Sequence, residues 1–300
     1  MYDIIIVGAG MAGLTAALYA QRNEKKVLIL ESDTIGGQIA NSPKVENYPT
    51  IPSISGSDLA NQVFDQVLDR GADFELERVT AVEKVDGHFV VTTEYGTHEG
   101  RSVIVAAGVK HRHLGLAREE EMVGKGVSYC AVCDGPFYKG EDVVLVGSGN
   151  AALQYAILLS QYCRNVYQMI ITPDFTGDEI LVNTVKRTPN IHYQFNTAVT
   201  EILGDEEVEG VRIKSPEGES ELQVKGMFVA IGQIPDNRAY EPLAELDRYG
   251  YFVADERCLT KTPGLFVAGD CRTKQIRQLT TAVADGAVAA LAACTYLMQE

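Results

Sequence analysis

A buried strand, a glycine turn and a helix follow one another twice in this chain, and that repetition narrows the fold more than any other feature. The first copy is "YDIIIVGAGMAGLTAALYA", with Gly8, Gly10 and Gly13. At this spacing the first glycine lets the chain reverse, the second lets backbone approach a pyrophosphate, and the third lets helix pack on strand. Free N–H groups at the helix start then face the phosphates. The next strand, "KVLILE", closes on Glu31, 18 residues after Gly13, where a carboxylate can accept the hydroxyls of an adenosine ribose. A structural turn would explain the glycines alone; strand, helix and acid together favour a dinucleotide site. The second copy, "DVVLVGSGNAALQYAILLSQYC", carries Gly147, Gly149 and Ala152. The expected fold class is α/β, with two doubly wound, Rossmann-like FAD/NAD(P)-binding domains.

Each copy is followed by the same kind of insert. Residues from about 76 to 105 alternate apolar and polar positions between turn signals, as do residues 199 to 232, and both runs end in an apolar strand before Ala-x-Gly. Near the end, "TPGLFVAGDCRTKQIRQLTTAVADGAVAALAA" is again strand, Gly-Asp turn and alanine-rich helix. Asp270 there suits the hydroxyls of a flavin cofactor, an N-cap being the plainer alternative, while Asp285 reads as ordinary helix surface. The C-terminal third therefore completes the first domain. The expected division is one nucleotide-type domain over 1–109 and 240–300, with residues 110–239 inserted in it as a second.

With 46% hydrophobic and 22% charged residues, the chain can bury real cores. Lys plus Arg is 26 against 41 Asp plus Glu, a net charge of −15 that repels phosphates at long range and argues against nucleic-acid and membrane partners. The opening "MYDIIIVGAG" shows no basic leader, and the apolar tail around Asp285 is expected to fall short of a spanning helix. Six cysteines include one close pair, which suits a cytoplasmic chain better than a secreted disulfide framework.

That pair lies in "SYCAVCDGPFYKG". Cys130 and Cys133 could form half a zinc site, but a structural site wants four ligands and the remaining cysteines are isolated. No metal is therefore expected. The stronger reading is a redox dithiol that closes a small ring and reopens by exchange, with Asp134 beside it to move the proton.

The motifs "GAGMAG", "GGQIANSPKVENYP", "CAVCDG", "GSGNAA", "FVAIGQIPDN" and "FVAGDCRTKQIRQLTTAVADG" together resemble the low-molecular-weight flavin thioredoxin reductases over the whole chain. The resemblance implies FAD lined by Gly8, Gly10, Gly13, Glu31, Gln38, Asn47, Gly269, Asp270, Arg277 and Gln278. It further implies that Cys133 faces the flavin, Cys130 attacks the disulfide of thioredoxin, Asp134 gives and takes the proton, and the enzyme is a homodimer.

The electron donor is a separate question. In most of that family the inserted domain binds NADPH through a His-Arg-Arg cluster after the second glycine loop, with another Arg four residues on. Here "QMIITPDFTGDE" places Ile170, Ile171 and Thr172 at the cluster and Thr176 at the later position, with Asp174, Asp178 and Glu179 nearby. Each lost charge-assisted phosphate contact costs about 1.5–3 kcal/mol. NADPH is therefore rejected. NADH remains an alternative through Asp174, although that acid follows Pro173 in what could be an ordinary turn. Gln154 and Tyr155 stand where relatives commonly carry two glutamates; Tyr155 could fill the nicotinamide's place or lie on helix surface. These departures resemble the ferredoxin-dependent flavin thioredoxin reductases, whose implied donor is a one-electron iron–sulfur protein. Docking candidates are Lys110, His111, Arg112 and His113 with Arg118, and the "RTKQIR" run with Arg272 and Lys274, its Arg277 being committed to the flavin; a solvated surface run is the plainer reading of the others. A non-enzymatic, redox-sensing flavoprotein is the weakest reading, because the dithiol and Asp134 are intact.

Overall fold

The computed structural model describes residues 1–42 and 44–299. They divide into two compact units, Met1–Lys110 with Ile234–Glu300, and His111–Gln233. Residues 234–239 thus group with the first unit. Asn237 is fully buried there, and its side-chain amide donates to the carbonyls of Gly250 and Cys271 at 2.9 and 2.8 Å.

The first unit opens with β1 (Tyr2–Val7), α1 (Met11–Arg22), β2 (Val27–Glu31), α2 (Gly56–Leu68) and β3 (Asp73–Leu76). The continuous apolar runs of β1 and β2 are those of parallel strands covered on both faces. An antiparallel ribbon follows, β4 (Val79–Val85), β5 (His88–Thr93) and β6 (Thr97–Val105), whose last strand pairs in parallel with β1. The chain then leaves through β7 (Lys110–His111).

The inserted unit holds β8 (Val127–Ser128), α3 (Ala131–Asp134), β9 (Asp142–Val146), α4 (Asn150–Leu159), β10 (Asn165–Ile170), α5 (Glu179–Arg187) and β11 (Ile191–Phe195). An acidic antiparallel sheet follows, β12 (Ala198–Leu203), β13 (Gly210–Ser215) and β14 (Gly218–Gln223), and then β15 (Gly226–Val229). Its main sheet is parallel, in the order β11-β10-β9-β15-β8.

After β16 (Gln233–Ile234), β17 (Leu265–Val267) joins β6, giving a seven-stranded sheet ordered β3-β2-β1-β6-β5-β4 with β17 on β6. The last helix, α6 (Leu279–Gln299), lies against α1. Alanines on both helices share one buried cluster, and a Cβ on Gly286 would stand 2.2 Å from the Ala12 carbonyl, so only small residues permit this approach.

Two expectations fail in α6. At 21 residues and a mean hydropathy of 1.5 it is long and apolar enough to cross a membrane. It carries a buried ion-pair network and packs on α1, which is how a core helix of this composition behaves. Asp285 is also not surface: it is 7% exposed and binds two cations.

Candidate active site

In the inserted unit Cys130 and Cys133 are joined by a disulfide across the single turn α3, with Cα atoms 5.3 Å apart. Each sulfur is thereby bonded to the other, as a redox pair requires. The Cys133 amide donates to Cys130 Sγ at 3.2 Å, a contact that favours negative charge on Cys130 over Cys133. Asp134 ends the same turn, and its amide donates to the Cys130 carbonyl at 3.0 Å. Ser128 Oγ donates to Asp134 Oδ2 at 2.6 Å, whereas Asp134 Oδ1 is buried with no partner among the described residues. Burial raises the Asp134 carboxyl above its ordinary range, and the Ser128 bond opposes that only in part. A carboxyl whose hold on its proton is strengthened beside a disulfide is suited to hand that proton to a departing thiolate.

Tyr129, next to Cys130, is fixed from the other side. Its hydroxyl donates to Glu119 Oε1 at 2.8 Å, and the ring stacks on His111 with centroids 4.9 Å apart. Glu119 is almost wholly buried and accepts the amides of Leu114, Gly115 and Leu116 as well.

In the other unit the expected cofactor residues make several separate local contacts. Gly8 has φ +106°, and a Cβ on it would stand 2.4 Å from the Ala106 carbonyl. A Cβ on Gly13 would stand 1.9 Å from the Gly8 carbonyl, so the strand–helix contact requires its absence. Space is open at Gly10, where the nearest atom to such a Cβ is 3.9 Å away. Glu31 accepts the Ala9 amide on Oε2 and the Ser32 and Asp33 amides on Oε1, tying the glycine turn to the loop after β2. Gln38 donates to the Val109 carbonyl, and Asn47 Nδ2 donates to Gln278 Oε1 at 3.4 Å. Arg277 donates to the Asp270 carbonyl at 3.2 Å and lies 4.3 Å above the Tyr251 ring.

Asp270 Oδ1 is buried and unpartnered among the described residues, and burial raises its carboxyl despite Lys274 and Arg277. An open glycine backbone and a buried acceptor lacking a donor fit FAD, which brings a pyrophosphate and hydroxyls. Asp285 supports this cradle from behind. Its carboxylate accepts the Gly269 amide at 3.0 Å, Arg272 at 2.8 and 2.7 Å, and Lys274 at 2.9 Å.

These bonds remove most of the expected docking cations. Arg272 and Lys274 are buried on Asp285. Arg118 is committed to Glu121 and the Gly204 carbonyl. His111 is held neutral, its pKa lowered to about 4 by burial and then by His113. Lys110 and Arg112 are exposed.

At the second glycine loop, Ile170 is buried and Ile171 is 74% exposed where phosphate-reading cations were sought. Thr176 turns back on the loop, its hydroxyl 2.9 Å from that of Ser148. Asn150, the first residue of α4, exchanges two hydrogen bonds with Asp178, at 2.9 and 2.6 Å. Asp174 accepts the Phe175 amide at 2.8 Å, the ordinary turn chemistry named as its alternative. Tyr155 is partly buried against the unit's core, and burial and then the nearby Asp134 oppose its ionisation.

Ser128 and Asp285 escaped the sequence reading. The available signals were a hydroxyl two residues before Cys130 and an acid inside an otherwise apolar helix.

The profile described as "Pyridine nucleotide-disulphide oxidoreductase" matches residues 2–286. A thioredoxin reductase of Treponema pallidum is 40% identical, over 99% of this chain and 97% of its own length. A Clostridium pasteurianum chain described as "34.2 kDa protein in rubredoxin operon" is 36% identical, over 98% and 97%. The crystal structure of thioredoxin reductase from Streptococcus pyogenes superposes with a TM-score of 0.96 at 35% identity, covering 100% of this chain and 99% of that one.

Proposed function

This chain belongs to the pyridine nucleotide-disulphide oxidoreductase family and, within it, to the FAD-carrying thioredoxin reductases, and from that premise we propose that its electrons come from a reduced ferredoxin. The observation that carries this reading is the second glycine loop. Where a ribose phosphate would need cations, the chain offers Ile170, Ile171 and Thr172, and Asp178 is bonded to the first residue of α4. A phosphate brought there meets a carboxylate in place of a guanidinium. A flavin suits a ferredoxin donor, since it can take electrons singly and pass them on in pairs.

The chain's own residues take the remaining roles. Gly8, Gly10, Gly13, Glu31, Gln38, Asn47, Gly269, Asp270, Arg277 and Gln278 hold FAD. Cys133 lies on the cofactor side of the exchange, Cys130 attacks the disulfide of thioredoxin, and Asp134 protonates the thiolate that leaves. Lys110 and Arg112 are the exposed cations within the "KHRH" run that an acidic donor can reach.

Anaerobic mixing tests the donor. Reduced ferredoxin should bleach the yellow protein rapidly, while NADPH and NADH at micromolar levels leave it oxidised. Rapid bleaching by either nucleotide defeats the proposal and favours an NADH- or NADPH-dependent reductase. The proposed homodimer should sediment at about twice the chain mass, and sedimentation at the single-chain mass would end it. A cytoplasmic location is proposed from the cysteine usage and is checked by cell fractionation.

A further inference from the structure

Ser128 sits at the end of β8, 3% exposed, and touches both parts of the redox turn. Its Oγ donates to Asp134 Oδ2 at 2.6 Å and accepts the Cys130 amide at 3.0 Å. We propose that Ser128 is a positioning residue for thioredoxin reduction: one hydroxyl ties the carboxyl of Asp134 to the backbone of Cys130, so acid and disulfide are held as one unit. The inference rests on the reading of Asp134 as proton donor and adds the residue that governs it.

The chemistry follows from the bonds. The reduced pair gives up two electrons to the thioredoxin disulfide. One thiolate attacks a partner sulfur, a mixed disulfide forms, and the other partner sulfur leaves as a thiolate that takes a proton. The second cysteine then attacks the mixed disulfide, restores Cys130–Cys133 and releases the second partner thiol, so both thiol protons pass to thioredoxin. Asp134 can donate only while protonated, so the exchange rate falls as pH rises through its pKa.

Ser128 sets where that fall occurs. Tyr138 and Tyr155 face Asp134 from the following turn and from α4, both neutral over the working range because burial raises them. The cysteines lie on its own turn. Burial favours the protonated acid and the Ser128 bond favours the carboxylate. Removing the hydroxyl therefore leaves burial unopposed and moves the limb to higher pH.

The test is single-turnover oxidation of the reduced full-length protein by oxidised thioredoxin, quenched and read by thiol alkylation across pH. Ser128→Ala should move the alkaline limb upward by about one pH unit, the scale of one hydrogen bond to a charged group. Ser128→Thr, which keeps a hydroxyl, should return it to the wild-type position, a rescue that loss of packing alone would not give. If Ser128→Ala keeps the wild-type limb while Asp134→Asn abolishes it, Asp134 remains the proton donor and the role of Ser128 is refuted. If Asp134→Asn also keeps the limb, the proton-donor reading has failed and this inference falls with it.

Discussion

Cys133→Ser should turn the protein from a catalyst into a trap for thioredoxin. In that variant the remaining thiolate of Cys130 attacks the thioredoxin disulfide, one partner thiol is released, and a mixed disulfide is left with no second cysteine to open it. Turnover should fall at least about 10³-fold, since neither half of a two-cysteine cycle substitutes for the other. The adduct should run as a single heavier band on a non-reducing gel and vanish with dithiothreitol. Cys130→Ser should lose activity as completely yet accumulate no adduct. The asymmetry has a structural basis in the Cys133 amide, which donates to Cys130 Sγ at 3.2 Å and stabilises charge on that sulfur. An adduct formed by Cys130→Ser and not by Cys133→Ser would reverse the assigned roles.

The parts of this fold that were legible in sequence are those where one residue type has one physical use. Gly8 and Gly13 are forced by contacts of 2.4 and 1.9 Å that any side chain would violate, so their spacing revealed strand, turn and helix together. Cys130 and Cys133 were legible for the same reason, because a two-residue gap suits few chemistries. Charged residues were misread wherever their role depends on a partner distant in sequence. Asp285 reads as solvated surface until the chain brings Arg272 and Lys274 against it, and those cations read as docking groups until they meet Asp285. His111 looks basic in "KHRH" and is neutral because burial beside Tyr129 outweighs its intrinsic affinity for a proton. Serine occurs in too many contexts for Ser128 to signal anything before Asp134 is seen 2.6 Å away.

Asp285→Ala should strongly destabilise the FAD-binding unit. Arg272 and Lys274, with side chains 8% and 7% exposed, would be left as buried cations without their carboxylate. Breaking such a pair from one side costs about 3–5 kcal/mol, or a drop in Tm of roughly 6–20 °C for a unit of this size. The pH dependence has a definite sign. Burial raises the Asp285 carboxyl, but Arg272 and Lys274 outweigh it and hold the group below its ordinary range. Its contribution is therefore complete above the unfolded carboxylate range and is lost as pH falls through the lowered value, so wild type and variant should converge in stability in acid. Charge and scaffolding can then be separated. Replacing Asp285, Arg272 and Lys274 together by Leu, Met and Met removes the buried charges along with the pair, and should recover much of the lost Tm. It does not restore the acceptor for the Gly269 amide, which holds the turn carrying Asp270. The triple variant should thus be thermally stable yet release FAD more readily than wild type, measured as flavin fluorescence appearing in the filtrate on dilution. A triple variant that retains FAD as wild type does would confine Asp285 to neutralising its two cations.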